Sequence, residues 1–136
     1  MIETDGSIGA SGIALPVSGT FNTVQSLAGS FAMTSNGALA NATPEAWVGQ
    51  LTLPSGSSFT GTLDLMDGGA VSADAAISGT LLPIDTASGL GLATLDNSST
   101  VLGGAHWNLH MVDAQRVLVM ENDGSRAVAG IIVKQY

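Results

Sequence analysis

Apolar and polar residues alternate one for one along much of this chain, in runs of about eight residues broken by glycine-containing dipeptides. A period of two puts every second side chain on the same face of an extended strand, so the pattern restricts each run to a β-strand with one apolar face. The punctuation is of the kind that tight turns need: Asn36-Gly37, Ser55-Gly56, Asp67-Gly68-Gly69, Ser88-Gly89 and Asp123-Gly124. Glutamate and lysine, common helix formers, total four residues.

The alternation has a definite phase. Leu27, Gly29, Phe31 and Met33 share a face, as do Trp47, Gly49, Leu51 and Leu53, and Phe59, Gly61, Leu63 and Leu65. In each set a glycine falls on the apolar side, where it permits a sharp bend or an aromatic ring against bare backbone, as strongly curved barrels require. A short pattern recurs as "SGTF" (18–21), "AGSF" (28–31), "VGQL" (48–51), "TGTL" (60–63) and "SGTL" (78–81). Gly19, Gly49 and Gly79 are equally spaced, and 46–65 aligns with 76–95 through Gly49/Gly79, Leu51/Leu81, Gly61/Gly91 and Leu65/Leu95. The spacing suits a hairpin repeat of two strands and two turns.

Strands are expected near 7–15, 16–22, 26–35, 45–53, 58–66, 75–83, 89–96, 105–112, 116–122 and 126–134. Short turns make neighbours antiparallel. Eight to ten such strands remove their exposed edges by closing into an up-and-down barrel, so the expected fold is an all-β antiparallel meander, a closed barrel, with a β-sandwich as the alternative. The 136 residues suit one domain. Residues 1–15, containing "SIGASGIAL", are candidates for an N-terminal strand that exchanges onto a second molecule.

Charge narrows the function classes. Three basic residues, Arg116, Arg126 and Lys134, against eleven acids give a net charge of −8. Three cations cannot track a phosphate backbone, so nucleic acid is excluded as a partner, and an anionic membrane surface with it. Membrane insertion as a β-barrel would need aromatic girdles and a polar lumen, which six aromatics and apolar strand faces do not provide. The absence of cysteine excludes disulfides and thiolate metal sites. The opening "MIETDGSIGA" lacks the basic start and long apolar centre of a signal peptide.

The two histidines, His106 and His110, stand four apart in "GAHWNLHMVD". On a helix they would share a metal. On the strand expected at 105–112 they lie about 13 Å apart on the polar side, too far for one ion. Asp67 and Asp123 beside glycine read as turn chemistry rather than calcium ligands, since neither segment matches a calcium loop. Asp64 with Glu121 is a carboxylate pair that only geometry could support. No GxSxG elbow, P-loop or GxGxxG is present, so no catalytic residue, metal or cofactor is assigned.

The stretches "FTGTLDLMDGGAVSADAAISGTLL" and "HMVDAQRVLVMENDGSRAVAGIIVKQ" resemble the glycine- and threonine-rich β modules found, often in tandem, in large cell-surface or secreted proteins of Acidobacteria and other soil bacteria. The likeness covers roughly residues 45–135. It implies a non-catalytic extracellular β module, calycin-like in shape, secreted or at the cell surface. A structural or interaction role follows, with self-assembly or another surface protein as partner. A second expectation is a lipocalin- or avidin-shaped carrier of a small apolar ligand lined by Trp47, Trp107, Phe31 and Met111. The third and weakest is an enzyme using Asp64, His106, His110 or Glu121 as acid/base groups.

Overall fold

The computed structural model describes residues 2–4, 9–11, 14–17, 27–54, 57–85, 87–96, 98–121 and 123–136. Strands β1 (Ile2–Thr4) and β2 (Gly9–Ser11) pair with each other in a small antiparallel sheet. The remaining eight are β3 (Gly29–Leu39), β4 (Pro44–Leu53), β5 (Ser58–Asp67), β6 (Ala70–Leu81), β7 (Leu90–Leu95), β8 (His106–Met111), β9 (Arg116–Glu121) and β10 (Arg126–Lys134). Each is antiparallel to its sequence neighbour. β10 then pairs with β3 from Arg126↔Leu39 to Lys134↔Phe31, which closes the sheet into an up-and-down barrel rather than a sandwich. Of the strand expected near 7–15, Gly9–Ser11 is β2. Of that near 16–22, residues 18–22 lie outside the described residues, and 16–17 carry no strand.

The expected phase is the observed one. Leu27, Phe31, Met33, Trp47, Leu51, Leu53, Phe59, Leu63 and Leu65 are all buried in one core. The inward glycines make the curvature possible by sterics. A Cβ on Gly49 would collide with the Thr62 carbonyl, on Gly61 with that of Gln50, and on Gly130 with that of Thr34. At Gly79 it would also lie 2.5 Å from the Phe59 ring, so here an aromatic does pack on bare backbone. The hairpin repeat is visible in space: β4–β5 and β6–β7 are successive hairpins, with Leu51 and Leu81 buried at matching places, as are Leu65 and Leu95.

Two turns differ in what they do. Asp67-Gly68-Gly69-Ala70 is a two-residue hairpin with φ of 57° and 91° at its glycines, the geometry that favours Gly at both centres. Asn36-Gly37, by contrast, is no turn. β3 runs straight through it, because Gly37 sits inward where a Cβ would strike the Ala127 carbonyl. The chain reverses at 40–43 instead, with Ala42 at φ 63° and the Asn41 side chain accepting from the Thr43 amide at 3.1 Å. β6 begins at Ala70, earlier than the expected 75, and accommodates the extra length with a bulge opposite Asp64. Asp74 takes φ 51° there, and its amide donates to Asp64 Oδ1 at 2.8 Å.

Candidate functional site

The four residues expected to line a cavity do face inward: Trp47, Trp107, Phe31 and Met111 are each at most 2% exposed. They fill the interior. The Trp47 and Trp107 rings stack at 5.5 Å between centroids, and Phe59 stacks on Trp107 at 6.0 Å. The space left in the half of the barrel lined by Phe31, Phe59, Trp107, Leu109 and Ile132 is about 30 Å³. That is the scale of one water, against about 300 Å³ or more for a small-molecule pocket. An apolar guest would have to displace Phe31, Phe59 or Trp107.

The opposite end of the interior is chemically different. Three inward positions at that level carry charge: Glu45 at the start of β4, Glu121 at the end of β9 and Arg126 at the start of β10. The Glu45 and Glu121 residues are 1% and 4% exposed. Glu45 Oε1 accepts from Trp47 Nε1 at 2.6 Å and from Arg126 Nη1 at 2.7 Å. Arg126 Nε lies 3.7 Å from Glu121 Oε1, within ion-pair range but beyond a hydrogen bond. Both Glu121 oxygens, Glu45 Oε2, Trp107 Nε1 and Ser35 Oγ find no hydrogen-bond partner among the described residues. Burial pushes the Glu121 carboxyl up to about 7. Arg126 opposes that shift, while Asp123 and Glu45 reinforce it.

The acid/base candidates are not brought together. Asp64 is exposed on the outer wall, tied to the bulge, whereas Glu121 is inside. They stand on opposite faces of the wall and form no carboxylate pair. His106 and His110 both point outward from β8, while Trp107, Leu109 and Met111 point in. His106 Nδ1 is 3.3 Å from Asp123 Oδ1, at the turn before β10. Among the described residues no cluster of three His, Asp or Glu side chains could hold a metal.

Sequence reasoning passed over Glu45 and Arg126. The signal was present: Glu45 is in phase with Trp47, Leu51 and Leu53, Glu121 with Val117 and Val119, and Arg126 with Val128 and Ile132. A charge on the apolar phase of a strand is the exception that marks a buried polar cluster.

With this geometry in place, comparison with known proteins adds one fact. No family model and no curated protein matches the chain. Among solved structures, a de novo designed fluorescence-activating β-barrel aligns over 82% of this chain and 95% of that one, with a TM-score of 0.53 at 11% identity. The likeness is one of fold. It accords with the closed barrel and carries no ligand or activity across at that identity.

Proposed function

We propose that the protein is a non-enzymatic β-barrel module, secreted or at the cell surface, that works by presenting its outer wall to other proteins, a second copy of itself first. The supporting observation is the make-up of five adjacent strands. One row across β8, β9, β10, β3 and β4 reads His110, Leu118, Ile131, Thr34, Val48, and the next reads Asn108, Met120, Ala129, Asn36, Ala46. Neither row holds a carboxylate, although the chain carries a net charge of −8. Val48 is 54% and Met120 47% exposed. The wall is shallowly dished between Thr34, Leu118, Met120 and Ile131. The exposed acids Asp64 and Asp74 belong to β5 and β6 instead.

A second copy meeting this wall with its own brings no anion against an anion. The five strands wrap more than half of the eight-stranded barrel, so two convex copies touch along about three strands and the two rows, roughly 200 Å² on each and roughly 400 Å² in all. That is the size of a weak, transient contact. The extracellular setting rests on the resemblance to glycine- and threonine-rich surface modules. The packed interior and the dispersed acid/base groups support a role other than catalysis.

Sedimentation velocity over a wide concentration range tests this. The expected result is a reversible dimer at high concentration that Ile131→Lys, on the wall, abolishes while the variant stays folded. A protein monomeric throughout, or an Ile131→Lys variant that still associates, would remove the reading.

A further inference from the structure

The buried carboxylate end of the barrel is left without a role by the outer-wall reading, and its geometry is unusual in one respect. Two carboxylates, Glu45 and Glu121, share one guanidinium. Arg126 is committed to Glu45 at 2.7 Å and reaches Glu121 only at 3.7 Å. The Glu45 side chain is 0% and the Glu121 side chain 1% exposed. An ionised Glu121 would therefore be a second buried anion with no hydrogen-bond donor among the described residues.

The groups facing it come from every side. Arg126 belongs to β10, Glu45 to β4 and Asp123 to the β9–β10 turn, and His106 on β8 engages Asp123 from outside. Trp107, the β8 partner of Glu121 in the ladder, presents a ring whose Nε1 has no partner among the described residues.

We propose that Glu121 is a proton-operated latch: protonated, it lets Arg126 serve Glu45 alone and the β9–β10 end stays shut, and ionised, it competes for Arg126 and loosens that end. The direction of the Glu121 shift, upward through burial, agrees. A carboxyl held more readily protonated in the folded state adds stability that is fully present below its unfolded value of 4.5 and is lost as pH rises through about 7. Glu121 alone then makes the unfolding equilibrium constant rise on the order of 10²-fold between pH 5 and 8.

The test compares the full chain with Glu121→Gln, which keeps the shape and cannot ionise, and with His106→Asn as a control for the neighbouring imidazole. Chemical denaturation at pH 5 and 8 should show the rise in the wild type and in His106→Asn, and its absence in Glu121→Gln. Amide exchange, corrected for intrinsic rates, should show Val119 and Val128 losing more protection at pH 8 than Phe31 and Leu51, whose loss is limited to the fall in global stability. A pH dependence that survives Glu121→Gln, or a loss of protection spread evenly over both ends, would overturn the latch. Should Glu121→Gln fail to fold, carbon-13 NMR of the wild-type carboxyls decides: Glu121 titrating near 7 supports the latch, and titration near 4.5 overturns it.

Discussion

The two ends of the barrel are filled by different physics. Toward the β3 start and β10 end, the plug is Leu27, Leu53, Phe59, Leu81 and Ile132, all carbon at the point of contact. Toward the β4 start and β9 end, it is Glu45, Glu121 and Arg126 beneath the stacked tryptophans. The strands are shared, so the contrast isolates the side chains. The apolar end draws on burial, which is indifferent to pH and proportional to area. The charged end depends on a hydrogen-bonded pair whose third member is in excess, so its stability is conditional on a proton.

The sharpest break of that comparison is Arg126→Met. It strands Glu45 and Glu121 without a cation and should cost about 3–5 kcal/mol at pH 8 by urea denaturation. The loss should be smaller at pH 5, where Glu121 takes up a proton. An equal loss at both pH values would mean that Glu121 does not share the cation. Leu53→Ala at the other end comes next, at about 2–3 kcal/mol, and should read the same at pH 5 and 8. Any pH dependence there would erase the distinction between the ends. Gly79→Ala, where the new methyl meets the Thr94 carbonyl and the Phe59 ring, should cost about 1–3 kcal/mol through strain in the wall itself. Thermal unfolding reads it, and an unchanged midpoint would show that the wall yields at Gly79.

Strand positions followed from alternation because a half-buried strand must alternate, and a glycine such as Gly49 or Gly79 within the apolar phase pointed to curvature. Local chemistry misled where it had to be weighed against pairing. Asn36-Gly37 has the composition of a turn, but Gly37 is used for the close approach of β10, a partner from the far end of the chain. Alternation puts Trp47, Trp107, Phe31 and Met111 inside, where they are buried, whereas how closely they fill the space depends on barrel radius, which no local pattern encodes.

The chain's own order of residues determined that it would be all strand, that each strand would have one apolar face, and that histidines four apart on β8 would point outward rather than share an ion. Period-two alternation is a local property, and local geometry suffices to read it. Tertiary structure alone decided that Glu45 would meet Arg126, separated by 81 positions, that Glu121 would be the carboxylate left over, and that uncharged positions on five strands would form one wall. Those facts arise only when β10 pairs with β3, because closing the barrel sets which inward and outward residues share a level.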